Sequence, residues 1–387
     1  MPNDTLELTS AQVLARTRTL LREHLPLTAN GYVCSTDDLV QVILGVGVKQ
    51  QTIESVCRNW IDAPHPETIR QHLNKQLCVE DLPDLEKCLN QTLSAEVPTR
   101  VWSQAQEVAI DLHDRPYYGK QPQAAGLWVR GRARDGTTRF YRIATAYVMR
   151  HGLRVTLAVR FVLPEQSLVE VVTELLKRVQ KLGLRIGCLF LDKAFAVREV
   201  VAFLERRRQP ALIACPLRGK KGGLRQLCQG RQSYCTHHTF RSANGDWTAQ
   251  VALCRAFTTA KRTKRLKRRL VWQVYILVHL DWSARQARRH YRRRFGIESS
   301  YRCANQVRGW TTSPNPAWRF VLMALAFILL NVWVHLRWLY TQIPHRGRRP
   351  LAFARFRLAR FAQFLRQALD GQYHLVNTLV AVARPKL

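Results

Sequence analysis

The spacing of apolar residues divides the chain into stretches of different character. Over residues 1 to about 100, apolar positions recur at helical intervals in short runs. "STDDLVQVIL" opens with Ser35 and Thr36, whose side chains suit a helix cap, and "QTIESVCRNW" repeats the helical spacing. "HPETIRQHLNKQL" carries Pro66 where a first helical turn tolerates it. From residue 105 the period shortens. "EVAIDLH" is a β-rich run, and "TTRFYRIATAYVMR" and "LRVTLAVRFVL" follow the Asp135-Gly136 turn pair as neighbouring strands. An amphipathic helix ("SLVEVVTELLKRVQKLG"), a buried strand ("IGCLFLD"), a second helix ("VREVVAFLERR") and another strand ("ALIACPL") come next.

Three strands followed by helix, strand, helix, strand is the order of an α/β domain with a ribonuclease-H-like mixed sheet. Residues 218–282 interrupt it with the loop "RGKKGGLRQ" and two β-like stretches, "WTAQVALCRAF" and "LVWQVYILVHL", which predict a β-rich insertion with a cationic hairpin. One long helix is expected from about Ser283 to Gln306. The organisation read from the pattern is a helical region over 1–100, an α/β domain over 101–310 and a helical, basic region over 311–387. Within the last, the uninterrupted apolar part of "FVLMALAFILLNVWVHLRWLY" is about eleven residues. That is short of the roughly 20 a bilayer span needs, and it predicts a buried helix.

Charge changes the picture most. The net charge is +34, and after Glu205 the only acids are Asp246, Asp281, Glu298 and Asp370. A surface of this kind repels itself unless a polyanion neutralises it, so nucleic acid is the first partner class and an anionic membrane the second. In that light the two helices joined by "IDAPHP" are a candidate helix-turn-helix with Thr68, Arg70, Gln71, Asn74 and Lys75 on its second helix; an ordinary helical bundle fits the same pattern. The run "KRTKRLKRR", with Lys261, Arg262, Lys264 and Arg265, suits phosphate contact. Ten scattered cysteines indicate free thiols in a reducing compartment. The opening "MPNDTLELTS" lacks a secretory pattern, and a cytoplasmic, nucleoid-associated protein is expected. The cluster "CQGRQSYCTHH" fits no common structural zinc spacing.

Phosphoryl transfer on nucleic acid commonly uses divalent metals held by carboxylates, so the few acids in a cationic chain are informative. Asp111 ends the apolar part of the first strand and Asp192 ends "IGCLFLD"; groups at the carboxyl ends of strands face the ligand crevice of an α/β sheet. The alternatives are a turn residue for Asp111 and a helix N-cap for Asp192. Glu298 either pairs with Arg294 and Arg302 on a solvated helix face or joins a functional stripe. At roughly 100° per residue, Tyr291, Arg294, Glu298 and Asn305 fall within an arc of about 60°. Asp114 is a second choice beside Asp111.

These residues resemble those of insertion-sequence transposases of the DDE type, in the group marked by a Tyr, Arg, Glu, Lys signature. Tyr291, Arg294 and Glu298 match the signature spacing, while Asn305 stands at the lysine position. "AIDLHDRPYYG" resembles the segment of the first acid, "LDKAF" that of the second, and "GTTRFYRIATAYV" the strands between. The resemblance covers roughly residues 105 to 310. It implies Asp111, Asp192 and Glu298 as ligands of two Mg2+ or Mn2+ ions. Water would cut a strand at each element end and the freed 3'-hydroxyl would attack further phosphodiesters. Tyr291 and Arg294 would hold the backbone near the cut; either Arg302 or Arg308 substitutes for the absent lysine or that contact is missing. Trp247 or Trp272 would stand where related enzymes stack a flipped base; the alternative for each is a place in the core. The partners it implies are double-stranded DNA, as terminal repeats and target, and a second copy of the chain in a homodimer on DNA. A catalytically degenerate, DNA-binding descendant and a membrane-associated basic protein are the alternatives.

Overall fold

In chain order the first helices are α1 (Ser10–His24), α2 (Thr36–Lys49), α3 (Ile53–Arg58), α4 (Pro66–Gln76) and α5 (Leu82–Ala95). Strands β1 (Gln106–Pro116), β2 (Val129–Arg134), β3 (Thr137–Val148) and β4 (Thr156–Val162) follow. Then come α6 (Leu168–Lys181), β5 (Ile186–Leu191), α7 (Arg198–Arg206), β6 (Ala211–Cys215) and α8 (Leu224–Leu227). The insertion supplies β7 (Tyr234–Phe240), β8 (Trp247–Arg262) and β9 (Arg265–Val278), and the chain continues through α9 (Ala284–Arg293), α10 (Phe295–Ala304), α11 (Pro316–Tyr340) and α12 (Leu358–Tyr373). The computed structural model describes residues 7–119, 126–219, 221–241, 245–262, 265–343 and 350–378, without the side chains of 258–268. The chain forms a sheet unit, Thr99–His113 with Ile143–Ser300, and a helical unit, Met1–Pro98 with Asp114–Arg142 and Tyr301–Leu387.

The sheet unit is built on the strand order β4-β3-β1-β5-β6-β9-β8-β7. Its first five strands are the ribonuclease-H-like mixed sheet expected from the sequence: β5 runs parallel to β1, with Ile110 opposite Leu191, and β6 parallel to β5, with Leu191 opposite Ile213. Ala109, Ile110, Leu189, Phe190, Leu191, Leu212 and Ile213 have no solvent exposure, as strands covered on both faces require. The insertion extends this sheet: β9 pairs antiparallel with β6, β8 with β9 and β7 with β8. Helix α6 starts at a capping box in which Ser167 accepts from the Glu170 N–H and Glu170 accepts in return. Its buried stripe, Val171, Val172, Leu175, Leu176 and Val179, is worth roughly 1.5–3 kcal/mol per large side chain removed from water.

In the helical unit, α12 is fastened to α2 and to the residues after α3. The Trp60 ring stacks on Tyr373 at 4.8 Å and its indole N–H donates to Asp370 at 2.8 Å. Lys49 pairs with the same carboxylate at 2.5 Å. Helix α11 is the one helix among the described residues long and apolar enough to cross a membrane, and 89% of its most apolar window is buried by packing. Asn331, the polar break in its apolar run, donates to the Leu93 carbonyl at 2.9 Å. The Asp135-Gly136 pair closes a tight hairpin: both residues have positive φ, 52° and 77°, and Arg134 faces Thr137 across the turn.

One element differs from its expected form. The helix expected over Ser283–Gln306 is two helices, and Arg294 sits at the junction. Its N–H bonds the Tyr291 carbonyl at 2.9 Å and its own carbonyl accepts from Ile297 at 2.8 Å, the three-residue spacing of a tightened turn. Gly296 weakens helix propensity at this point, and a Cβ there would lie 3.0 Å from the guanidinium of half-buried Arg154, so the chain passes close to a cation.

Candidate active site

The register of β1 and β5 creates the site. Because Ile110 lies opposite Leu191 in parallel strands, the next residues, Asp111 in the middle of β1 and Asp192 just past the end of β5, stand side by side. Asp111 is within β1 rather than in a turn. Asp192 occupies the N-cap position of a short turn over Lys193–Phe195, yet its side chain makes no capping hydrogen bond, so the carboxylate is available. Glu298 lies in the first turn of α10.

Arg294 stands among the three acids. Its guanidinium nitrogens lie 3.6 Å from Asp111 Oδ2, 3.6 Å from Asp192 Oδ1 and 3.4 Å from Glu298 Oε1. The arginine side chain is 8% exposed, against 13% for Asp111, 40% for Asp192 and 45% for Glu298, so the cluster opens on the Asp192 and Glu298 side. Burial raises the Asp111 pKa to about 6; Arg294 opposes that rise, while Asp192 and Glu298 add to it. Burial likewise opposes the charge of Arg294, but Tyr291 and the three carboxylates outweigh it and raise its pKa. Arg294 Nε and Nη1 are buried with no hydrogen-bond partner among the described residues. Nη2 donates to Glu298 Oε1 at 3.4 Å, while the contacts with Asp111 and Asp192 are ion pairs without a hydrogen bond.

The other signature residue, Tyr291, is buried beneath this cluster. Its hydroxyl donates to the Leu191 carbonyl at 3.3 Å, its ring packs on Tyr275 at 4.7 Å and the Arg294 guanidinium lies 5.2 Å over its face. Burial pushes the hydroxyl pKa up, which keeps it a hydrogen-bond donor. The sequence reading missed Glu107, which accepts from Arg293 at 3.3 Å and meets His290 Nδ1 at 2.6 Å. Trp282 stacks on the same imidazole at 4.4 Å. Glu107 ties α9 to β1 and so fixes the helix that carries Tyr291 and Arg294. Its only sequence signal is its place two residues before Ala109 and four before Asp111, on the same face of an extended strand.

The remaining expected residues are placed elsewhere. Asp114, the second-choice acid, is bound by both arms of Arg142 at 2.7 and 3.1 Å in the helical unit. Arg302, Asn305 and Arg308 also belong to that unit; the first two are exposed, and Arg308 is half-buried with Nε and Nη1 lacking a partner among the described residues. Lys261 and Arg262 end β8 and Arg265 begins β9, with their side chains outside the described set; Lys264 lies outside it altogether. Trp247 stacks on Phe240, its cross-strand partner, at 4.2 Å and 13°, beside a cavity of about 990 Å³ that Arg198, Arg218 and Arg241 also line. Trp272 is half-buried on β9. In the candidate helix-turn-helix, Arg70 pairs with Glu54 at 2.8 Å and Glu67 at 2.7 Å, while Gln71, Asn74 and Lys75 are exposed.

Three carboxylates offer the oxygen donors that hard divalent cations take. Among the described residues, no group of three acidic, histidine or cysteine side chains is gathered closely enough to hold a metal ion as it stands. The Arg294 guanidinium lies among the three carboxylates.

No protein-family model and no curated protein matches the chain. Among solved structures it is similar to the piggyBac transposase in a synaptic complex with hairpin DNA, at 10% identity and a TM-score of 0.54 over 95% of this chain and 78% of that one. The likeness is one of fold.

Proposed function

We propose that this chain is a DDE-type DNA transposase that cleaves and joins strands at the ends of an insertion sequence, with Asp111, Asp192 and Glu298 as its three acids. The observation that carries the reading is the convergence of these carboxylates, from within β1, from the end of the neighbouring β5 and from a helix, on one buried guanidinium with unsatisfied donors. The acids would hold Mg2+ or Mn2+, which when bound ionises the attacking oxygen and stabilises the leaving one. Arg294 is the natural donor to a phosphate oxygen: its orphaned N–H groups suit a bidentate contact, and an anion relieves their buried, unpaired state. Tyr291 props the guanidinium from below. The β1–β5 register keeps Asp111 and Asp192 adjacent, and Glu107 holds α9 against β1.

The test is cleavage of duplex DNA carrying the element ends, with Mg2+ or Mn2+. Asp111→Asn, Asp192→Asn and Glu298→Gln are each expected to slow cleavage about a thousandfold, the equivalent of roughly 4 kcal/mol, while DNA binding persists. Full cleavage by the Glu298→Gln protein would sink the assignment of the third acid. A second reading, a descendant that binds DNA without cutting it, is favoured by Asn305 at the signature lysine position. Binding without cleavage by the unaltered chain selects it.

A further inference from the structure

The face of α9 turned away from the acids has chemistry of its own. At roughly 100° per residue, Arg285, Arg288, Arg289 and Arg292 share an arc of about 100° on the side of the helix opposite Tyr291 and Arg294. With Arg231 and Arg255 from the insertion they line a cavity of about 670 Å³ to which the described residues contribute seven arginines and no acid. Arg285, Arg289 and Arg292 are exposed. Arg288 is oriented by Gln273, whose Oε1 accepts from its Nε at 3.1 Å. Arg255 Nε is buried with no hydrogen-bond partner among the described residues. The seventh arginine, Arg293, is engaged by Glu107.

We infer that this cleft is a backbone-tracking site for duplex DNA, holding successive phosphates away from the carboxylate cluster. So many guanidinium groups around one cavity repel one another unless an anion enters, and an orphaned, buried guanidinium nitrogen marks a place where an acceptor belongs. The spacing selects a polymer over a single phosphate. Arg285 and Arg292 are about 10 Å apart along the helix axis, which covers about three steps of one DNA strand. Arginine suits the task because its fork matches phosphate oxygens pairwise. This inference rests on the DNA-binding part of the proposed function and adds a site that the three acids and Arg294 do not use.

The experiment measures affinity for a short fluorescent duplex of arbitrary sequence by anisotropy, in chelator, between about 50 and 200 mM salt. The proteins are the unaltered chain, the triple variant Arg285→Gln/Arg289→Gln/Arg292→Gln, its Lys counterpart and a charge-matched control, Arg206→Gln/Arg207→Gln/Arg208→Gln. If each cleft arginine neutralises one phosphate, the slope of log affinity on log salt falls in magnitude by about 3 in the cleft variant. The Lys counterpart retains the slope, and the control changes it by less than about one. Equal slopes in the cleft variant and the control overturn the cleft. Absence of binding by the unaltered chain overturns instead the DNA-binding reading beneath it. As a check that needs no variant, phenylglyoxal labelling is expected to be slowed by DNA at Arg285, Arg289 and Arg292; unchanged labelling there counts against the inference.

Discussion

At the scale of the residue, Arg294 decides how the acids behave. It is the only cation among the described residues that pairs with all three carboxylates. Replacing it with Met keeps the stem and removes the charge, leaving Asp111 buried beside two like charges. Removing one member of a fully buried pair costs about 3–5 kcal/mol; with Asp192 and Glu298 partly solvated, about 2 kcal/mol is expected here. If the acids are metal ligands, Mg2+ should recover much of that loss. Arg294→Met is therefore expected to melt several degrees lower than the unaltered chain in chelator and to regain most of the difference in millimolar Mg2+. An equal deficit in both conditions counts against a metal site. Glu298 stood out in the sequence because carboxylates are scarce after Glu205, and Asp111 and Asp192 because they stand where apolar runs stop. The guanidinium among them was not legible, since its place depends on strand register and on the break in the helix. Nor was Glu107, whose partners His290 and Arg293 lie far along the chain.

At the scale of the element, local pattern served well wherever the core lay on one predictable face. Strands β1, β3, β4, β5 and β6 and the helices α6 and α7 are read from alternation and helical spacing because burial enforces both. Strand β2 escaped the reading: "VRGRAR" has three arginines and one large apolar residue, and it pairs with β3 through its hairpin rather than through an apolar face. The pairing of β9 with β6 was also hidden, because it joins residues some sixty positions apart with no local signal. A packing test belongs at this scale. Gly45 lies in α2, and a Cβ there would fall 2.3 Å from the Trp60 ring. That ring cannot swing aside freely, since it is stacked on Tyr373 and tied to Asp370. Alanine gains about 1 kcal/mol of helix propensity, and overpacking against a pinned ring costs about 1–3 kcal/mol. Gly45→Ala is expected to lower the melting temperature by a few degrees and to speed amide exchange in α12. A melting temperature at or above that of the unaltered chain refutes this account of the α2–α12 contact.

At the scale of the whole molecule, the balance is between ion pairs that salt weakens and a net charge of +34 whose self-repulsion salt relieves. Exposed pairs such as Arg22 with Asp37 and Lys177 with Glu174 are worth at most about 1 kcal/mol each, and many contribute nothing. Repulsion acts among far more charges, for the sequence has 61 Lys and Arg against 27 Asp and Glu. At about 0.15 M salt the screening length is about 8 Å, short enough to separate neighbouring patches. Repulsion therefore wins, and the melting temperature should rise as salt rises from about 50 to 300 mM, opposite to a protein held by surface ion pairs. Duplex DNA at low salt should raise it further. A ligand at a hundredfold its dissociation constant stabilises by about 2.7 kcal/mol, which is about 5 °C or more for a unit of this size. Scanning calorimetry in a salt series, with and without duplex, checks both effects. They oppose each other in one informative way: salt that stabilises the free chain also weakens DNA binding, so the two melting curves converge as salt rises. Curves that stay parallel would mean that DNA is held by contacts other than phosphate neutralisation, and a free chain that melts lower with salt would mean that its charges are paired rather than in excess.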